Sequence, residues 1–110
     1  MEAYKIKYLP VALKDLNDII DYLAITLCNK KAALEFIDAL NLSVSRLYSF
    51  PYSCRLYQSQ SLLNSEYRVL PVENYLVFYV ILESVVEIRR IVYARVNLVA
   101  VLSIKKEDQY

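Results

Sequence analysis

The chain has 110 residues, of which 57% are hydrophobic and 23% charged, and its formal net charge is +1. That length gives one domain enough apolar material for a core, and the composition excludes disorder. The first fifty residues carry six basic and six acidic groups and the last sixty carry seven and six, so no region shows the basic surplus that binding nucleic acid by counterion release draws on.

Three scarcities narrow the chemistry further. There is no histidine, which removes imidazole acid–base catalysis and ordinary histidine-containing metal sites. There is no glycine, so phosphate-cradling and dinucleotide fingerprints are excluded. No cofactor is expected. The two cysteines, Cys28 and Cys54, form no CxxC pair and are expected to be reduced, packed thiols. The longest uninterrupted apolar run, Tyr75–Leu82, falls well short of the ~18 residues that read as a membrane span, and the N-terminus has no apolar signal core. A cytoplasmic location with no membrane partner is the expectation.

In chain order, Ala3–Leu9 alternates Tyr4, Ile6 and Tyr8 with Lys5 and Lys7, the pattern of a half-exposed edge strand. Pro10 suits the first turn of a helix, and Leu13, Leu16, Ile19, Ile20, Leu23 and Leu27 come after it at helical spacing. Asp15, Asp18 and Asp21 form a stripe beside them, which as a functional feature would be a site for a cation or a basic partner and is better read as a solvated face. Asn29 suits the N-cap of a second helix from about Lys30 to Ser49, closed by Phe50–Pro51. The short Leu27–Lys31 connection makes the two helices an antiparallel hairpin. Pro51–Ser65 is polar, serine-rich and aperiodic, and reads as a loop.

Three strands come next: Tyr67–Val72, Tyr75–Leu82 and Val85–Tyr93. Their two-residue connections, Glu73–Asn74 and Glu83–Ser84, force antiparallel neighbours, with Asn74 or Ser84 expected to relieve the turns. Tyr75–Leu82 alternates nothing, so it should be central and covered on both faces. The fold class is therefore α+β: an N-terminal strand, a two-helix hairpin and a three-stranded antiparallel segment, with the helices on one sheet face. Ala94–Ile104 could be a helix or a strand. The opposite sheet face and Leu98–Leu102 are expected to stay open as apolar surface for a partner.

Tyr8-Leu9-Pro10 with Ala12 and Asp15-Leu16, Ile19-Ile20-Asp21-Tyr22-Leu23, Ala32-Ala33 with Phe36, and Leu47 before Phe50-Pro51 appear in that order. Tyr67-Arg68, Asn74-Tyr75, Val77-Phe78-Tyr79, Val86-Glu87-Ile88, Arg90-Ile91 and Tyr93 complete the series. Together they resemble the RelE/ParE superfamily of toxins over almost the whole chain. The resemblance implies a single toxin domain spanning residues 1–110. It also implies a toxin of a type II toxin–antitoxin module, held inactive by a cognate antitoxin in a hetero-oligomer. The superfamily contains both ribosome-dependent mRNA endonucleases and DNA gyrase poisons, so the fold does not choose between them.

For RNA cleavage the ribose hydroxyl must lose a proton, the phosphorane must be stabilised and the leaving oxygen protonated. Without histidine, arginines must hold the phosphate and a tyrosine, lysine or carboxylate must move protons. Arg68, Tyr93 and Arg95 are the candidates, since odd positions Glu87, Arg89, Ile91, Tyr93 and Arg95 of an unbroken strand would share one face. Arg68 and Arg95 fall where the superfamily's cleaving members carry basic residues. Leu70, Leu76 and Val96 stand where those members carry further cations. Arg90, among apolar positions, reads as a structural arginine paired with an acid, and Arg89 with Glu87 as a surface ion pair. The preferred expectation is a toxin that acts as an mRNA interferase, an endoribonuclease inhibiting translation, with ribosome and mRNA as partners. The alternatives are a non-catalytic poison of DNA gyrase and an inactive relative that binds only its antitoxin.

Overall fold

A computed structural model describes residues 4–57 and 66–94. It contains strand β1 (Lys5–Tyr8), helix α1 (Pro10–Asp21), helix α2 (Lys30–Ser45), and strands β2 (Arg68–Val72), β3 (Tyr75–Leu82) and β4 (Val85–Tyr93). The strands form one sheet in the order β1-β4-β3-β2, with β1 parallel to β4 and the other pairs antiparallel. The α+β expectation is met, with β1 on an edge and β3 inside.

Both helices start where the sequence says they should. Pro10 occupies the first turn of α1, where its missing N–H costs nothing. The Asn29 side chain accepts the Ala32 N–H at 3.0 Å and caps α2. Their ends are less regular. α1 runs into a π-helical turn, Tyr22–Thr26, and α2 into a 3₁₀ turn, Arg46–Tyr48. A wider turn rotates the residues at its end off the apolar stripe, so Ile25 and Leu27 are exposed although helical spacing places Leu27 inside. Leu13, also counted in that stripe, is exposed.

The helices cover one sheet face. Phe36, Leu40, Val44 and Leu47 pack with Leu70, Val72, Val77, Tyr79, Val86, Ile88 and Ile91 in one apolar cluster. The other face carries Tyr67, Val69, Phe78, Val80 and Val92. It is not the open apolar surface anticipated: none of these five is more than 8% exposed. Tyr57 and Tyr67 stand edge-on to Phe78, with centroids 5.3 and 6.3 Å away, as ring quadrupoles prefer. All four residues Val77–Val80 are buried, which explains why that stretch shows no alternation.

Without glycine, left-handed backbone falls on other residues. Glu73 and Glu83 take φ of 54° and 58° in the hairpin turns, and neither Asn74 nor Ser84 does. Cys28 takes φ of 52° just after the π turn, at the position where glycine usually ends a helix. The cysteines are free, as expected, but Cys28 is exposed rather than packed. The Pro51–Tyr57 part of the expected loop is tied to the sheet. Tyr57 N–H donates to the Tyr67 carbonyl at 2.8 Å, and Val69 N–H donates to the Arg55 carbonyl at 3.2 Å. The anticipated element in Ala94–Ile104 lies, from residue 95 on, outside the described residues.

Candidate functional site

One irregularity in β4 decides which side chains meet. Phe78 pairs with Arg90 but Tyr79 pairs with Ile88, so Arg89 is an extra residue, a β-bulge. A single inserted residue exchanges the faces beyond it. Val86 and Ile88 join the helix-side core before the bulge, and Ile91 joins it after. Tyr93 therefore lies on the helix side with its partner Tyr75, whereas Glu87 pairs with Val80 on the opposite side. The expected single face from Glu87 to Tyr93 does not exist.

The arginines around the bulge are held by acids. Arg89 Nε donates to Glu87 Oε1 at 2.9 Å, and its guanidinium lies 5.8 Å from the centre of the Tyr67 ring. Arg90 donates through Nε to Asp15 Oδ2 at 2.7 Å and through Nη2 to Oδ1 at 3.0 Å. The hydrogen bond to Asp15 raises the Arg90 pKa further. The paired-arginine reading of Arg90 is correct, and its acid belongs to the stripe on α1. Asp15 has a second task. β1 stops opposite Ile88, and Asp15 Oδ2 accepts the Ile91 N–H at 3.0 Å beyond that end. A carboxylate takes the place of the missing strand neighbour.

Arg68 is engaged in the fold. Its Nη1 donates to the Cys54 carbonyl at 2.7 Å, and its guanidinium sits 4.9 Å from the Tyr52 ring centre. Opposite it across the β2–β3 ladder, the buried Tyr79 donates its hydroxyl to the Pro51 carbonyl at 2.7 Å. Burial raises the Tyr79 phenol well above its ordinary pKa, so it stays protonated and a donor. Arg68 and Tyr79 thus fasten the Pro51–Cys54 segment over the end of the sheet.

Arg68 and Tyr93 are not brought together. Arg68 pairs with Tyr79 and Tyr93 with Tyr75 on opposite sides of β3. Four residues along the strand and two strand spacings across put their Cα atoms on the order of 15 Å apart. Arg95, the third candidate, lies outside the described residues.

Tyr93 instead shares a cleft with Asp18 of the acidic stripe and with Ile19, Tyr22 and Tyr75, which the sequence did not single out for a site. Its ring stands edge-on to Tyr75 at 5.7 Å, and Tyr75 leans on Phe36 at 5.0 Å. Asp18 and Ile19 of α1 and Tyr22 of the π turn close a cavity of about 400 Å³ over Tyr75 and Tyr93. A second hollow of about 310 Å³, lined by Glu73, Asn74, Tyr93 and Ala94, adjoins it through Tyr93. Burial raises the Tyr75 phenol above its ordinary pKa, and Tyr22, Tyr93 and Glu73 add to the effect. Tyr22, Tyr75 and Tyr93 could have been grouped from the sequence only with the β4 register known. Among the described residues no cluster of three or more potential ligands could hold a metal, and no helix is long and apolar enough to cross a membrane.

Residues 6–98 match the family profile described as the ParE toxin of the type II toxin–antitoxin system parDE. The chain belongs to the ParE toxin family. The fold is shared by a solved chain of a chromosomal ParDE toxin–antitoxin system from P. aeruginosa. That chain is 19% identical, with a TM-score of 0.69 over 84% of this chain and 98% of its own length. Curated protein sequences give no match. Membership in the family makes the chain a toxin of a type II toxin–antitoxin system.

Proposed function

We propose that this ParE-family toxin acts by binding and poisoning DNA gyrase, without cleaving RNA. The observation that carries the reading is how Arg68 is placed. Its guanidinium is committed to the Cys54 carbonyl and the Tyr52 ring, and Tyr93 lies far from it across β3. A phosphoryl-transfer centre needs cations and a proton-moving group converging on one phosphate. Leu70 and Leu76, where cleaving relatives carry cations, leave such a centre poorer still. A toxin that traps its target needs only a complementary surface, and the family assignment favours that class over an mRNA interferase. The partner that restrains it is a cognate antitoxin, in keeping with the ParDE system of the structural neighbour, in a hetero-oligomeric complex in the cytoplasm.

The test uses purified toxin in two assays, gyrase supercoiling of relaxed plasmid and a translating extract with a labelled message. Inhibited supercoiling with intact message is expected, and added antitoxin should reverse it. Cleaved message with unaffected supercoiling would overturn the proposal and return Arg68, Tyr93 and Arg95 to a catalytic role.

A further inference from the structure

We infer that the cleft between the end of α1 and the β3–β4 hairpin binds an arginine side chain presented by a partner polypeptide. Among the described residues, its walls are aromatic and its charged groups acidic. The hairpin contributes Tyr75 and Tyr93, the helix and the π turn after it contribute Asp18, Ile19 and Tyr22, and Glu73 lines the hollow that adjoins through Tyr93. Phenol faces carry the negative part of the ring quadrupole and attract cations, most strongly where water is partly excluded. Two carboxylates add to that field.

Among the described residues, no basic side chain lines either hollow. The cation beside Asp18 is Lys14, whose Nζ lies 2.9 Å from Asp18 Oδ2 with 74% and 62% of the two side chains exposed. Exposed pairs of that kind hold weakly, so Asp18 can exchange Lys14 for a better partner. Guanidinium is that partner: it is planar, it stacks on aromatic faces, and its fork matches a carboxylate.

The shape points to a side chain on a polypeptide and not to a free small molecule. A pocket of about 400 Å³ is ample for one long side chain. Tyr22 and Tyr93, however, are 49% and 44% exposed, so the cleft lacks the enclosure that small-ligand sites provide. A residue whose main chain is held by contacts elsewhere has no need of full enclosure.

The test titrates the full chain with a capped Ser-Arg-Ser tripeptide, with its citrulline counterpart, the same shape without the charge, and with a capped Ser-Lys-Ser tripeptide. Aromatic proton–carbon spectra read the tyrosine rings. The arginine peptide should shift Tyr22, Tyr75 and Tyr93 saturably and bind about tenfold tighter than the citrulline peptide, the scale of a cation–π contact plus a carboxylate pairing. Tyr93→Ala and Asp18→Asn should each weaken it several-fold, and Tyr93→Phe, which keeps the ring face, should not. An amide spectrum of each variant confirms that the fold is retained. Equal shifts from the citrulline peptide, equal binding of a lysine peptide, or affinity unchanged in both Tyr93→Ala and Asp18→Asn would overturn the assignment.

Discussion

Replacing Asp15 tests whether one carboxylate closes the sheet where β1 ends. Asp15 accepts two hydrogen bonds from Arg90 and one from the Ile91 amide, all between 2.7 and 3.0 Å. The Asp15 side chain is 12% exposed and that of Arg90 28%, so the pair is sheltered but not dry. A hydrogen bond to a charged group contributes about 1.5–3 kcal/mol, and three sharing one carboxylate do not add. Breaking a fully buried pair typically costs about 3–5 kcal/mol, and partial exposure brings the expectation for Asp15→Ala to about 3 kcal/mol. With a urea m-value of about 2 kcal/mol/M, the unfolding midpoint should fall by about 1.5 M. Asp15→Asn keeps an acceptor for the Ile91 amide while discarding the charge, and should lose about half as much. Urea titrations of the parent and both variants supply the measurement. A loss below about 1 kcal/mol for Asp15→Ala would show that water replaces the carboxylate and that Asp15 is only a surface acid.

Arg68→Ala should destabilise the chain by about 2 kcal/mol through the lost charge-assisted bond to the Cys54 carbonyl, with amide exchange rising at Tyr57 and Val69; unchanged exchange there would release Arg68 from the fastening role. The alkaline limb of stability is set by the tyrosines. The Tyr8, Tyr75 and Tyr79 phenols have folded pKa values raised chiefly by burial, so the folded chain keeps protons that the unfolded chain gives up. Stability is thus fully present below pH 10, the ordinary phenol value, and is lost as pH rises through the folded values, at about 1.4 kcal/mol per pH unit for each such proton. A tyrosinate absorbance titration should show some of the eleven tyrosines ionising only as the chain unfolds. Complete, reversible titration of all eleven with the fold intact would contradict the burial assigned to Tyr79.

Much of the fold was legible because local signals agreed with one another. Pro10, Asn29 and the two-residue connections marked the ends of elements, and the unbroken apolar run of β3 marked the centre of the sheet. Arg90 was readable as a paired arginine because a lone cation among apolar residues must find an acid. The candidate site was less legible. Alternation along a strand assumes a constant period, and a bulge leaves no reliable mark when the inserted residue is an ordinary arginine. Arg89 looks like any polar strand position, and only the register of β4 against β3 shows it to be extra. The π turn misled in the same way, since one wider turn is enough to put Leu27 in solvent. Arg68 illustrates a different limit. Its position at the start of a strand fits a phosphate ligand or a clasp equally well, and the choice rests on the Cys54 carbonyl, fourteen residues away.

The bulge links fold to function. Had β4 continued without Arg89 as an extra residue, Tyr93 would have fallen on the same side as Glu87, away from α1, and Tyr75 would have lost its cross-strand ring. The insertion places Tyr93 on the helix side, where Asp18 and Tyr22 already converge, and it leaves Arg89 paired with Glu87 on the reverse. One residue therefore puts Tyr93 and Arg89 on opposite faces of the sheet. An acidic cleft repels a phosphate backbone and receives a cationic side chain, so the register that makes the cleft also weighs against RNA chemistry in it. The geometry that keeps Tyr93 apart from Arg68 fits the proposed toxin that works by holding another protein.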